Sequence, residues 1–253
     1  MSTITNRVTF DFTGARALVT GGTSGIGHAI ATAFVSAGAS VTVTGTRAGP
    51  DEYDGIDLRG VDFVQVDNRH AAAVDELATT FDTLDVLVNN AGATFPGGVD
   101  ERTPEGFAES LESNLMGAMR LTIRCHAALA ASAMPGGACV INIVSMSAFR
   151  AVPMVPGYSA AKAALVALTR NLAVDWIDDG IRVNALAPGL IDTRMTAPMA
   201  AFPDLRDREI ARIPAGRMGT PEECASAALF LASEASAYTT GSVFAVDGGF
   251  LAF

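Results

Sequence analysis

Arg16-Ala-Leu-Val-Thr20-Gly21-Gly-Thr-Ser-Gly25-Ile-Gly27 is the stretch that decides the fold. Its first half is a short apolar run, and its second half crowds glycines into the opening of a helical pattern over 26–37. Glycines let a backbone turn sharply and approach a pyrophosphate without a clashing Cβ. The helix start then offers unpaired N–H groups and the positive end of its dipole. The spacing is Gly-x-x-x-Gly-x-Gly rather than the common Gly-x-Gly-x-x-Gly, and a tight turn that binds nothing is the alternative for such a loop taken alone.

The same rhythm runs on to the end of the chain. Apolar runs at 16–20, 40–44, 62–66, 85–89, 138–144, 181–187 and 243–246 alternate with longer helical patterns. Runs of consecutive Val, Ile and Leu are buried on both faces, the signature of a parallel sheet. Strand–helix alternation with right-handed crossovers gives an α/β doubly wound Rossmann fold, here a seven-stranded parallel sheet with helices on both faces. No Pro/Ser linker, charge shift or internal repeat divides the sequence, so a single domain over 1–253 is expected. The segment 188–219 has no clear place in the alternation. It follows the sixth strand on the carboxyl side, where open α/β sheets bind ligands, and is read as a substrate lid over about 190–215, against a plain surface excursion.

Composition narrows the function classes. Of 253 residues 49% are hydrophobic and 17% charged, which suits a large core covered on both sides. A net charge of −10 with no Lys/Arg stripe argues against nucleic acid and against an anionic membrane surface. Cys125, Cys139 and Cys224 are odd in number and lack metal-ligand spacing, so buried thiols are expected and no metal site. Residues 1–7 have no apolar core of a secretory signal, and no run approaches the length of a membrane span. A cytoplasmic protein is the expectation.

The chemistry is carried by Tyr158-Ser-Ala-Ala-Lys162, with Ser145 thirteen residues upstream at the end of an apolar strand. Tyr and Lys at i and i+4 share one helix face. A phenol with a reference pKa of about 10 holds its proton tightly, and a neighbouring ammonium favours the phenolate. A serine hydroxyl beside them can hold the substrate oxygen whose proton the tyrosine gives or takes. The set is an acid–base device for interconverting a carbonyl and an alcohol.

With both motifs placed, the chain resembles the short-chain dehydrogenase/reductase family, of the single-domain type with about 250 residues, from about Phe12 to Gly249. The resemblance implies that Gly21, Gly25 and Gly27, with Thr23, Ser24 and Ile26 between them, hold the pyrophosphate. Asn89-Asn-Ala-Gly92 matches the element that supports the sheet and lines the cofactor, through Asn89, Ala91 and Gly92. Asn114, Ser145, Tyr158 and Lys162 match the catalytic tetrad, Lys162 also binding the nicotinamide ribose and the surroundings of Asn114 holding a water that relays protons. Pro188-Gly189 with Ile191 and Thr193 matches the segment that fixes the carboxamide, Asp67 and Asn68 the adenine position, and Val246-Asp-Gly-Gly249 the usual ending. A capping or surface role is the alternative for Asn114. Asn184 reads as structural, and His28, His70 and His126 as surface or packing residues.

The implied activity is an NAD(P)(H)-dependent oxidoreductase acting on a ketone or secondary alcohol, with 3-oxoacyl-acyl-carrier-protein reductase as the narrower alternative. A dinucleotide-binding sensor without chemistry and a methyltransferase are the competing classes. Gly45 stands where an acid would hold the adenosine ribose of NAD, and Arg47 two residues on suits a 2′-phosphate, which favours NADP. Ser24 before the second glycine and the acids Asp51, Glu52, Asp54 and Asp57 point instead to NAD. The substrate pocket is expected to include Ser145, Tyr158, Phe95, Ser147, Phe149, Met154, Leu190 and Met195, together with Ala93, Thr94, Val152, Met199 and Phe202. This Met-rich wall suits a small hydrophobic carbonyl or alcohol. Arg150 is the one nearby charge for an acidic group, with packing as its alternative, and Arg206, Arg208 and Arg212 form a local basic cluster. Family members of this size are usually homotetramers, and the apolar tail 250–253 suits burial by a neighbour or against its own core.

Overall fold

The computed structural model describes residues 8–252, so the features expected of residues 1–7 and of Phe253 lie outside the described residues. Seven parallel strands form one sheet: β1 (Arg16–Val19), β2 (Ser40–Gly45), β3 (Val61–Gln65), β4 (Val86–Asn89), β5 (Ala138–Ile143), β6 (Ile181–Pro188) and β7 (Val243–Val246). Their order is β3-β2-β1-β4-β5-β6-β7. The order reverses between β1 and β4, and the crevice at that switch point is where the carboxyl ends of the strands leave room for a ligand.

Side-chain alternation along the strands explains the two layers. Ala17 and Val19 face one side of β1 and Leu18 the other, and the same alternation in β5 separates Cys139 and Ile141 from Val140. One face is covered by α1 (Gly25–Ser36), whose Ile30 and Phe34 are buried there; the other by α2 (Ala71–Thr79), which contributes Val74 and Leu77. Then follow α3 (Pro104–Leu111), α4 (Gly117–Arg124), α5 (His126–Ala130) and α6 (Pro156–Asp175). Leu121, Leu129, Leu172 and Trp176 bring α4, α5 and the end of α6 onto the α2 face. After β6 come α7 (Pro203–Ile210) and α8 (Pro221–Ala232), and α8 returns to the α1 face with Cys224, Ala228 and Leu231. Strands β4, β5 and β6 are buried at every position, so their hydrophobic runs have two apolar layers to fill.

The three cysteines are buried free thiols. Arg182 on β6 is buried to 2% exposure, with no carboxylate within salt-bridge reach among the described residues. Its guanidinium donates to the carbonyls of Gly136, Leu231, Ala232, Ser233, Ser236 and Thr239, at 2.8 to 3.4 Å. Two of these belong to the last turn of α8, whose terminal carbonyls have no partner within the helix. Asn184, also on β6, donates to the Thr239 carbonyl and accepts from Ser242 N–H, the structural role expected of it.

Candidate active site

A cleft of about 1000 Å³ opens at the carboxyl ends of β1, β2, β4, β5 and β6. Its floor is the turn between β1 and α1. Gly21 and Gly25 adopt left-handed backbone, φ +62° and +51°, which only glycine takes without strain. Gly21, Thr23, Ser24, Gly25 and Ile26 line the cleft, whereas Gly27 does not. A Cβ at Gly27 would lie 2.3 Å from Asn90 Nδ2 and 2.4 Å from the Gly21 carbonyl. The third glycine therefore serves helix-to-loop packing rather than ligand approach.

A dinucleotide fits these walls. Ser24 gives α1 no side-chain cap, the first turn carries no acid, and its N–H groups end at the cleft. By contrast, Thr103 caps α3, and Thr220 with Glu223 forms a reciprocal capping box on α8. Asn68, after β3, is a buried residue of the cleft wall, and its Nδ2 has no hydrogen-bond partner among the described residues. Asp67, Ala91, Gly92, Pro188, Gly189, Ile191 and Thr193 line the same cleft.

Two expected cofactor contacts take other positions. Asn89 is turned into the sheet, where its Nδ2 donates to Thr122 Oγ1 at 2.7 Å and Asn142 Oδ1 at 2.8 Å, so it ties β4 to β5 and α4. Arg47 does not line the cleft: its guanidinium donates to the Glu52 carbonyl and lies 5.1 Å from the Tyr53 ring centroid. A Cβ at Gly45 would meet Tyr53 Oη, and that hydroxyl accepts from Arg47 N–H at 2.9 Å. Tyr53 thus fills the space a side chain at residue 45 would need, and no acid can stand there.

The reacting side chains converge past the end of β5. Ser145 leaves the strand in extended conformation, and its Oγ accepts from Ser147 N–H at 3.1 Å, which turns its own hydroxyl proton outward. Tyr158 and Lys162 lie one turn apart on α6, with Lys162 Nζ 5.5 Å from the Tyr158 ring centroid. Lys162 is 3% exposed and donates to the Ile143 carbonyl at 2.8 Å. Gly92 closes the far side: a Cβ there would sit 2.5 Å from Asn114 Oδ1 and 3.5 Å from Lys162 Nζ.

Asn114 does not line the cleft. It lies in a π-helical turn, Glu112–Met116, between α3 and α4, a distortion frequent at functional sites. Its amide exchanges two 2.9 Å bonds with Ala93 N–H and carbonyl and donates to the Ser110 carbonyl at 2.9 Å. The side chain is spent on holding the segment after Gly92 in place.

Burial sets the protonation of the pair. The Lys162 ammonium is pushed down from 10.5 to about 8 by desolvation. The Tyr158 phenol is pushed up to about 12, first by burial and further by the Glu101 carboxylate, while the Ser145 hydroxyl opposes both. The expectation that Lys162 holds the phenol below its ordinary value is therefore not met: burial pushes the phenol up, and the Ser145 hydroxyl only partly opposes it.

Lys162→Met is accordingly expected to stabilise the ligand-free protein at pH 7 while removing most activity. A shift from 10.5 to about 8 corresponds to a burial penalty of about 3 kcal/mol, of which the orphaned Ile143 carbonyl returns about 1 kcal/mol. Below pH 8 the folded and unfolded lysines are both protonated and the penalty is full. Between pH 8 and 10.5 only the unfolded chain keeps the proton, so wild-type stability rises with pH and the variant's advantage fades. Melting curves at pH 7 and 10 read this directly, and a variant less stable than wild type at pH 7 contradicts it.

Glu101 is a site residue with no signal in the sequence, since it sits in an irregular Gly-rich loop and pairs with nothing by spacing. It is fully buried. One carboxylate oxygen accepts from Phe95 N–H at 2.8 Å and the other from Tyr158 N–H at 2.7 Å. It caps the N-terminus of α6, where Val155 provides no side-chain cap. It also holds Phe95, which has φ +49° and is the one non-glycine with positive φ among the described residues. Gly157 permits the close packing here, because a Cβ there would lie 2.8 Å from Ser110 Cβ and 3.3 Å from Glu101 Oε2.

Of the expected substrate wall, Phe95, Ser147, Met154, Leu190 and Met195 line the cleft with Ser145 and Tyr158. Phe149 does not; the chain leaves the short turn Met146–Ala148 so that Phe149 is 45% exposed and Arg150 takes the inward place. Phe202 also stays outside the lining and is 62% exposed. Thr46, Arg69, Arg208, Glu209 and Arg212 line it as well. None of the three histidines does, and no group of three or more His, Cys, Asp or Glu among the described residues could hold a metal.

Known proteins share this architecture. A family model described as enoyl-(acyl carrier protein) reductase matches residues 21–251. A 3-oxoacyl-[acyl-carrier-protein] reductase of Chlamydia muridarum is 36% identical over 92% of this chain and 96% of its own. A 2-dehydro-3-deoxy-D-gluconate 5-dehydrogenase of Dickeya dadantii is 34% identical over 96% and 98%. Among solved structures, the Pseudomonas aeruginosa RhlG/NADP complex superposes with a TM-score of 0.84 at 34% identity, covering 96% of this chain and 98% of that one. A Burkholderia cenocepacia gluconate 5-dehydrogenase in complex with NADP and tartrate gives a TM-score of 0.84 at 29% identity, covering 96% and 98%.

Proposed function

The chain belongs to the short-chain dehydrogenase/reductase family, NAD(P)-dependent oxidoreductases acting on CH–OH groups, and on that premise we propose that Tyr158 is its general acid and base. The observation that carries this reading is the convergence of Ser145, Tyr158 and Lys162 on one cleft whose other half fits a dinucleotide. When bound, the nicotinamide supplies or accepts the hydride. In reduction, Tyr158 donates its proton to the carbonyl oxygen and the Ser145 hydroxyl holds that oxygen as charge develops. In oxidation, Tyr158 takes the proton back, and Lys162 favours the phenolate that must do so. Gly92 and Asn114 shape the wall behind them, and Glu101 fixes the turn of α6 that bears the phenol.

NADP is the preferred cofactor in this reading. Tyr53 keeps any carboxylate from residue 45, and Arg47 lies beside the same rim, free to exchange a neutral carbonyl partner for a phosphate. The segment 190–215 acts as a lid: Met195 and Phe202 are exposed apolar side chains beside a mouth that also exposes Phe95 and Met154, and closure would cover them. The enzyme works as a homotetramer in the cytoplasm, with exposed Ile123, Val174 and Ile177 on outer helical faces as the surfaces to be covered. No helix among the described residues is long and apolar enough to cross a membrane. A second reading, 3-oxoacyl-[acyl-carrier-protein] reductase, draws on Arg206 and Arg208 of α7 and Arg212 just after it, beside the cleft mouth.

Absorbance of the reduced cofactor, followed against a panel of ketones and secondary alcohols with NADP(H) and NAD(H), tests the activity. Turnover with tighter use of NADP(H) is expected; no turnover of any ketone or alcohol with either cofactor rejects it. Glu101→Gln supplies the pH readout. It removes a negative charge that raises the Tyr158 pKa, so the phenolate forms more readily and the rise of oxidation with pH moves to lower pH. A purely structural Glu101 would lower stability and leave the profile where it was.

A further inference from the structure

The substrate end of the cleft is more cationic than an acidic chain requires. Arg150, Arg208 and Arg212 line it with a single carboxylate, Glu209, although the whole sequence carries a net charge of −10. Arg150 and Arg212 share one aromatic ring: their guanidinium carbons lie 4.3 and 5.6 Å from the centroid of Phe250. Arg212 is paired with Glu209 at 3.2 Å. Arg150 has no carboxylate within salt-bridge reach among the described residues; its guanidinium lies over the Phe250 ring.

The platform under these groups is built. Phe250 is 4% exposed and packs with Leu190 and Ile213, so the ring is fixed from below. The turn that carries it is held by Asp247, whose carboxylate accepts from Gly249 N–H at 2.9 Å and Leu251 N–H at 2.8 Å. Stacking leaves the edge of a guanidinium, with its parallel N–H donors, open to a planar anion. Two positive charges are thus brought to one ring, and of the two only Arg212 has a carboxylate partner among the described residues.

We propose that Arg150 and Arg212 form an anion subsite for the carboxylate of the substrate, so that the enzyme acts on small oxo acids and the corresponding hydroxy acids. The proposal rests on the reading of Ser145 and Tyr158 as the carbonyl site. It adds a second anchor in the same cleft, with Leu190 and Met199 as apolar contacts for the carbon chain between the two. Substrates with neutral ends leave Arg150 without a charged partner and lose the charge-assisted bonds.

The test compares straight-chain oxo acids with their methyl esters and with their coenzyme A thioesters, using wild type, Arg150→Gln and Arg150→Lys. In wild type, kcat/KM for the acid is expected to exceed that for the ester by about tenfold or more, the worth of a charge-assisted pair. The ratio falls toward one in Arg150→Gln and is partly restored in Arg150→Lys. Esters that match the acids in wild type, a ratio that survives Arg150→Gln, or a preference for the thioester overturns the subsite. Should none of these compounds be turned over, the carbonyl reading fails separately, and binding then decides the subsite. With NADP(H) present, the oxo acid must raise the melting temperature of wild type but not of Arg150→Gln, and no rise in wild type overturns the proposal.

Discussion

Tyr158→Phe is expected to lower kcat about a thousandfold in both directions, within the range that a positioned acid–base group contributes. The variant keeps the ring that fills the space beside Ser145 and loses only the hydroxyl, so its stability should stay within about 1 kcal/mol of wild type. NADP(H) affinity should also hold, because Gly21, Gly25, Asn68 and Thr193 are untouched. Burial pushes the phenol up to about 12, so it is protonated at any working pH and ready to donate in reduction. Oxidation requires the phenolate, and its rate should rise with pH across the neutral and alkaline range while reduction does not. Steady-state rates in both directions, with a binding titration of the reduced cofactor, decide the matter. Activity within tenfold of wild type would mean that another group moves the proton.

The parts of this site visible in the sequence are those written in local patterns. The strand–glycine–helix junction at Thr20–Gly27 and the one-turn spacing of Tyr158 and Lys162 are each contained in fewer than ten residues, and each lands where its pattern places it. The seven strands begin and end within one residue of the apolar runs; the central β4, β5 and β6 are buried at every position, while the edge strands β3 and β7 are partly exposed. The misjudged residues depend on contacts between segments far apart in the chain. Asn89 and Gly27 belong to the right motifs, but their neighbours Asn142 and Asn90 take them for packing. The direction of the Tyr158 pKa follows from how deeply the finished fold buries it, and from Glu101, which no spacing links to Tyr158. Arg150 could be weighed from the sequence only as one charge near Ser145; its stacking on Phe250, a hundred residues away, needed the closed fold.

Arg182→Met should produce the largest loss of stability among single substitutions, about 3–5 kcal/mol. A buried cation without a counterion would ordinarily be expensive, and this one is tolerated because six carbonyls surround it. Leu231 and Ala232 lie at the negative end of the α8 dipole, which adds to the attraction. Methionine fills similar volume but donates nothing, so those carbonyls are left buried without their shared donor. Arg182→Lys keeps the charge and three donors but loses the planar fork, and an intermediate loss is expected. Urea unfolding measures both. The catalytic readout should separate cleanly from the structural one, since Arg182 does not line the cleft. The folded fraction of Arg182→Met should turn over at the wild-type rate, and saturating NADP(H) should raise its midpoint by mass action. A variant that is as stable as wild type would show that the carbonyls find other donors, and that the end of α8 does not depend on β6 for its cap.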